Sequence, residues 1–184
     1  MPGCRAWQKH KSMQMDVLVI GAGASGLMAA GTAATRGRKV VILEKMPRPA
    51  RKLRITGKGR CNLTNIAPVS EFMKHIGPDS RFLKYTFSEF FSKDLIEFFN
   101  KIGIATVTEQ GGRVFPESEN AQDIVDALVD WTKKLGVEIR CSSPVKRIMV
   151  TSQSASGILL ENGQHIKAER IILAAGGASY PATG

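Results

Sequence analysis

Residues 16–44 constrain the fold more than any other stretch. Val17, Leu18, Val19 and Ile20 form a short apolar run suited to a buried parallel strand. Gly21, Gly23 and Gly26 follow in G-x-G-x-x-G spacing. Residues 27–36 read as a helix and residues 40–43 as a second buried strand, with Glu44 at its C-terminal end. Together they make one βαβ unit of the dinucleotide-binding form. Gly21 lets the chain turn out of the strand, Gly23 lets a pyrophosphate approach the backbone, and Gly26 lets the helix pack close to the sheet. The helix N-terminus offers free N–H groups and a positive dipole end to the phosphates. Glu44 is placed to accept from adenosine ribose hydroxyls, and its charge argues against a 2′-phosphate there. Small Ala30 and helix-ending Gly37 extend the pattern.

The bulk properties exclude several classes. The 184 residues suffice for one domain with a core, and 43% hydrophobic and 23% charged residues are globular values. Residues 15–35 are apolar overall, but Asp16 and the glycines fit a strand, turn and helix better than a membrane span. Residues 1–14 contain Arg5, Lys9, His10 and Lys11 without an apolar centre, so they read as a disordered basic tail, not a secretory signal. Cys4, Cys61 and Cys141 form no C-x-x-C pair, which points to a reducing cytoplasm and gives metal binding no support. His10, His75 and His165 are scattered and read as solvated or structural. The net charge of +10 is uneven: residues 1–65 carry thirteen Lys and Arg against Asp16 and Glu44, a net +11, and the remainder is close to neutral. An anionic cofactor explains part of this excess; a solvated basic face or a nucleic-acid surface are the other readings.

Further along, residues 50–65 have no helical or strand period and read as a long loop around a polar ligand. Residues 81–91 and 93–102 read as helices, with Ser92 as N-cap and Gly103 as stop, and their phenylalanines read first as core. A strand over 104–108, a Gly111-Gly112 turn and a short strand over 114–116 follow. Residues 121–135 carry an apolar stripe of Ile124, Ala127, Leu128, Trp131 and Leu135, capped by Asn120 and ended by Gly136. A buried strand spans 137–141. Strands over 146–151, 157–161 and 164–168 form a meander with an Asn162-Gly163 hairpin turn. Residues 170–174 read as another buried strand ending in Ala175-Gly176-Gly177.

The glycine motif, the stretch Arg51-Lys-Leu-Arg-Ile-Thr-Gly-Lys-Gly-Arg-Cys-Asn-Leu-Thr-Asn65, the segment Gly112-Arg-Val-Phe-Pro116 and residues 173–184 resemble, in order, the BaiN-like (aminoacetone-oxidase-type) family of NAD(P)/FAD-dependent oxidoreductases. Two departures are Ala50, where the family usually has Gly, and Ala175, where the second flavoprotein fingerprint usually has Thr. The resemblance implies a Rossmann-like FAD-binding domain of the glutathione-reductase type, an α/β fold with a parallel sheet and a β-meander, over residues 15–184. It also implies an N-terminal fragment, with the substrate domain and a C-terminal FAD segment beyond it. Carried onto this sequence, it makes cofactor-binding candidates of Gly21, Gly23, Ala24, Ser25, Gly26, Glu44, Lys45, Arg51, Lys52, Thr56, Gly57, Gly59, Arg60, Cys61, Asn62, Thr64, Asn65, Val145, Ala174, Ala175, Gly176 and Gly177. Val145 would meet the adenine through its backbone, and Lys58 or backbone N–H groups would stabilise an anionic reduced ring. Arg113 is a weaker candidate for an anionic substrate group, and Cys61 reads as a packing residue before a redox thiol.

The expected activity is FAD-dependent oxidoreduction, with hydride passing between NAD(P)H and a small organic substrate. The residues offer no side-chain catalytic set and no metal site. Neither a nucleic-acid partner nor membrane insertion is expected. The alternatives are a non-catalytic FAD-binding fragment and a flavoprotein of the tRNA-modifying type, the latter motivated by the basic first third.

Overall fold

A computed structural model describes residues 14–77 and 80–177, so the basic tail and residues 178–184 lie outside the described residues. The chain divides into two compact units: Met1–Lys52 with Leu128–Gly184, and Leu53–Ala127.

The first unit is built on β1 (Met15–Ile20), α1 (Ala24–Thr35) and β2 (Val40–Leu43). β1 and β2 pair in parallel from Val17↔Val40 to Ile20↔Leu43. The sheet order is β6-β2-β1-β9-β8-β7, where β6 is Glu138–Arg140, β7 Val145–Thr151, β8 Ser154–Leu160 and β9 His165–Leu173. β6, β2, β1 and β9 run parallel, and β9, β8 and β7 form an antiparallel meander. This is the expected parallel sheet with a meander.

Alternation along the strands divides the core. Leu18, Val41 and Leu43 cluster with Ile158, Leu160, Ile166 and Ala168. The intervening Val17, Val19, Val40 and Ile42 are buried too, as strands covered on both faces require. α1 packs against β1 and β2 and contributes buried Leu27 and Ala30.

The structure departs from expectation at β9. The strands expected over 164–168 and 170–174 are one nine-residue strand. Its first part pairs with β8 (Ile158↔Ile166) and its later part with β1 (Ile20↔Leu173), on opposite edges. No turn residue interrupts it, so one strand serves both pairings. It is also less buried than an all-parallel centre would be, with Leu173 66% exposed.

The second unit has a three-stranded antiparallel sheet, β3-β5-β4, from Thr64–Asn65, Arg113–Pro116 and Thr106–Thr108. Its helices are α2 (Val69–Lys74), α3 (Leu83–Glu89) and α4 (Ser92–Lys101), and it holds the first part of α5 (Ala121–Lys134). The period of residues 69–74 did not announce α2. Residues 50–65 are not a structureless loop, because Leu53–Gly59 forms 3-10 turns and Thr64–Asn65 joins the sheet.

Two further details correct the sequence reading. Ser92 is not the N-cap of α4: it is buried, its hydroxyl donates to the Asn65 carbonyl at 2.6 Å, and the Asp94 carboxylate accepts the Phe91 N–H at 2.8 Å instead. The phenylalanines split. Phe99 and Phe115 are core, and Phe72 meets Phe87 and Phe91 edge-on while Phe87 and Phe91 are tilted to each other, with centroids 5.1–5.6 Å apart. Phe82 and Phe90, which flank the seven-residue α3, are exposed, and the chain leaves the helical path at Phe90 (φ −154°). Asn120 caps α5 through the Gln122 N–H at 3.0 Å, and Gly136 follows it at φ +83°, both as expected.

Helix contact in the first unit depends on one missing side chain. A Cβ on Gly31 of α1 would run into the ring of Trp131 on α5. Gly31→Ala gains up to about 1 kcal/mol of helix propensity but overpacks a close contact at about 1–3 kcal/mol. The urea midpoint should therefore fall in Gly31→Ala and recover when Trp131→Leu is added.

Candidate functional site

The site begins where β1 ends. Gly21 turns at φ +103°, and its N–H donates to the Leu43 carbonyl at 2.8 Å. A Cβ at Gly21 would strike the Ala174 carbonyl oxygen, and one at Gly26 the Gly21 carbonyl oxygen. These two glycines are thus demanded by the chain's own packing. Gly23 differs. It is the N-cap of α1 at φ −76°, and a Cβ there would meet nothing within 4 Å. No side chain caps this helix and no acid lies in its first turn. Ala24 and Ser25 are exposed, and the first intrahelical bond is from the Leu27 N–H to the Gly23 carbonyl at 3.0 Å. The turn therefore presents uncapped N–H groups over open space, the condition an anion needs.

Glu44 holds this turn. One carboxylate oxygen accepts from the Ala22 N–H at 2.7 Å and the other from the Met46 N–H at 2.9 Å. A carboxylate offers about four lone-pair sites, so two acceptor positions remain for ribose hydroxyls. Sequence reasoning read Glu44 only as an expected ribose acceptor and missed that it anchors the glycine turn. The second glycine run sits beside the first: the Ala174 N–H donates to the Ile20 carbonyl at 2.8 Å, and exposed Ala175, Gly176 (φ +86°) and Gly177 follow. Val145 opens β7 opposite Leu160 and packs against the same core cluster. Lys45, Arg51 and Lys52 are exposed on the chain after β2.

Ala50 was passed over as a site residue, although its departure from Gly was the signal. Its N–H donates to the Ala22 carbonyl at 2.8 Å, so it clips the following segment to the glycine turn. It is buried at φ +56°, where a side chain is strained and glycine is not.

The polar residues of 54–65 are placed within the second unit. Arg54 donates to Gln122 at 2.9 Å. Arg60 donates to Glu109 at 2.7 Å and Glu119 at 3.3 Å, and its guanidinium lies 4.1 Å from the centre of the Phe115 ring. The bond to Glu109 holds it still more firmly protonated than usual. Thr56 donates to the Leu53 carbonyl at 2.8 Å, and the Asn62 amide faces the Val114 and Thr64 carbonyls at 3.1 and 2.9 Å, so its hydrogen bonding requires the orientation in which its nitrogen donates to both. Thr64 bonds Ser92 at 2.8 Å, and Asn65 donates to the Gly111 carbonyl at 2.7 Å. Gly57, Lys58 and Gly59 run at φ +57°, +57° and +87°, one left-handed turn that presents an exposed Lys58. Arg113 is exposed, 3.8 Å from Glu109. Cys61 is 1% exposed and packs with Phe99, Ala121 and Ile124. Burial pushes its thiol pKa up, against a smaller lowering by its hydrogen bond with Thr56.

With this geometry in view, comparison with known proteins gives the family. Residues 15–184 match the HI0933-like protein Rossmann domain. The chain belongs to that family, and its fold is the Rossmann-type FAD-binding fold. It is 34% identical over 172 residues to the ribosomal RNA dihydrouridine synthase of Escherichia coli, with 93% of this chain and 42% of the relative covered. It is 33% identical over 169 residues to the 3-dehydro-bile acid delta(4,6)-reductase of Clostridium scindens, with 90% and 40% covered. The chain thus spans about two fifths of the length of these relatives. Among solved structures, the 3-ketosteroid-delta4-(5alpha)-dehydrogenase of Rhodococcus jostii shares the fold at a TM-score of 0.70 and 18% identity, over 97% of this chain and 49% of that one. No helix among the described residues is long and apolar enough to cross a membrane.

Two outcomes follow. Ala50→Gly should raise stability by up to about 1 kcal/mol, the left-handed penalty less the entropy of glycine, read from denaturant unfolding. Cys61 should resist alkylation in the folded protein at pH 7–8.5, by mass mapping of its peptide. Because its folded pKa is raised, its contribution to stability is complete below the ordinary thiol pKa of about 8.5 and is lost as pH rises beyond it. Rapid labelling of folded protein at pH 7 would contradict this environment.

Proposed function

We propose that the first unit holds the adenosine and pyrophosphate part of FAD and that the chain is the nucleotide-binding part of an oxidoreductase. In this reading hydride passes between NAD(P)H and an organic substrate. The observation that carries it is the contrast among the glycines: Gly21 and Gly26 are required by the chain itself, whereas Gly23 leaves space beside an uncapped helix end. That space suits a pyrophosphate, and Glu44 keeps acceptor positions beside it for a ribose.

When bound, the flavin supplies the hydride chemistry. The chain's own work is binding and orientation. The N-terminal N–H groups of α1 bind the diphosphate charge, Glu44 fixes the sugar, and the backbone at Val145 borders the adenine. Lys45, Arg51 and Lys52 add positive charge on the segment after β2. The candidates of residues 56–65 remain proposed cofactor residues through the family resemblance. A cytoplasmic setting, where NAD(P)H is available, belongs to the same reading.

A second reading concerns the substrate. The E. coli relative is named for ribosomal RNA and the C. scindens relative for a bile acid. The net +11 of residues 1–65 favours the polyanion, so RNA is the second substrate class we propose, against the sequence expectation of a small molecule.

Gly23→Val tests the cofactor reading. Its Cβ meets nothing, so unfolding should change by no more than about 1 kcal/mol, the scale of an N-cap substitution. FAD binding, followed by visible absorbance and by mass of the released cofactor, should weaken at least about tenfold, as expected when roughly 1.4 kcal/mol of contact is lost. Equal FAD affinity in Gly23→Val, or no flavin on the wild-type chain and its longer relatives, would overturn the reading. FAD bound with no NAD(P)H oxidation would favour the non-catalytic module.

A further inference from the structure

The first unit carries positive charge at both ends of its sheet, and a cofactor accounts for only one of them. Lys45, Arg48, Arg51 and Lys52 follow β2 on the side of the glycine turns. At the other end, the α1–β2 connection holds Arg36, Arg38 and Lys39, and the last turn of α5 holds Lys133 and Lys134. β2 and β6 are parallel neighbours, paired from Val41↔Glu138 to Leu43↔Arg140. The two connections therefore lead into adjacent strands at the same end. The contact of Trp131 with Gly31 sets α1 and α5 side by side above them. Five cations thus gather there. None of the five is in an ion pair among the described residues. The carboxylates nearby are Asp16, which accepts the Lys39 N–H at 2.8 Å, Asp130 on α5, Glu138 at the start of β6, which bonds Arg140 at 2.8 Å, and Glu169 on β9 beside the start of β1.

Helix dipoles explain part of this arrangement. Cations at a helix C-terminus contribute about 0.3–1 kcal/mol each, which covers Lys133 and Lys134 in the last turn of α5 and Arg36 at the C-cap of α1. Arg38 and Lys39 lie past Gly37, outside the helix, and have no such role.

We propose that this end of the first unit is a second anion-binding face, which takes the phosphodiester backbone of a folded RNA. The inference rests on the RNA reading given above and adds where the RNA is held. The twelve residues of α1 rise about 18 Å from the glycine turn to this face. A strand advancing about 3.4 Å per nucleotide needs at least about five nucleotides to span that distance. A dinucleotide cannot serve both ends, whereas a hairpin can. No exposed large apolar side chain of the described residues lies on either connection, which disfavours a membrane surface.

The test is fluorescence anisotropy of the 184-residue chain with a labelled RNA hairpin of about 24 nucleotides, long enough by the spacing above. The comparison is with Arg36→Glu/Arg38→Glu/Lys39→Glu and, separately, Lys133→Glu/Lys134→Glu. FAD titrations run on the same samples. The triple variant should bind RNA at least about tenfold more weakly at 100–150 mM salt, with a salt slope lower by about two to three. The double variant should show a smaller loss of the same kind, and FAD affinity should not change in either. Wild-type affinity and slope in both variants, or no RNA binding by the wild-type chain, would overturn the proposal. So would competition by poly-glutamate or phosphatidylserine vesicles as effective as that by unlabelled RNA. Loss of FAD binding in the wild-type chain would count against the cofactor reading alone, because the RNA comparison is scored separately.

Discussion

The Glu44 carboxylate is the tie on which the nucleotide end of this fold depends. It accepts one N–H from the glycine turn and one from the chain beyond β2, at 2.7 and 2.9 Å. Buried or half-buried backbone N–H groups need partners, and this single side chain satisfies two while fixing the separation of two connections. The Gly21 N–H to Leu43 bond and the Ala50 N–H to Ala22 bond complete the frame. A ligand at the turn therefore meets a backbone already held in place, and less ordering free energy is lost on binding.

The second unit puts its charge to a different use. Residues 50–65 read in the sequence as a loop around a polar ligand, yet the guanidiniums of Arg54 and Arg60 are bonded to Gln122, Glu109 and Glu119. These bonds, with the Asn62 amide and the Thr64–Asn65 strand, fasten residues 53–65 to β5 and to the start of α5. Held in this way, the left-handed Gly57-Lys58-Gly59 turn can persist although Lys58 pays the steric cost of a positive φ. A charged motif can thus be a fastening for a strained turn as readily as a recognition surface.

How much of this was legible in the sequence depended on range. The βαβ unit, the strand ends at Ile20 and Leu43, the Asn120 cap and the Gly136 stop are local, and local residue types decide them. The continuous β9 was missed because it pairs with its hairpin neighbour β8 over its first part and with the sequence-distant β1 over its later part, and only the position of β1 in the sheet makes one strand of it. Ser92 has the right chemistry for a cap, but the Asn65 carbonyl, far away in sequence, takes its hydroxyl. The partners of Arg60 were hidden for the same reason. At Ala50 the information was present: an alanine in a position usually held by glycine marks a backbone that turns left-handed.

The span of β9 bears on how the molecule assembles. β1 has β2 as an early neighbour on one side, but on the other it pairs with β9, Met15 opposite Ala168. That ladder closes one of the longest loops the chain can make, and loop-closure entropy opposes it until late. During synthesis the apolar β1 therefore waits with an open edge while most of the chain emerges. Such an edge can recruit a foreign strand. Protection of β1 in the nascent chain falls to the β1–α1–β2 unit, so the stretch that shapes the nucleotide site also shields the growing sheet.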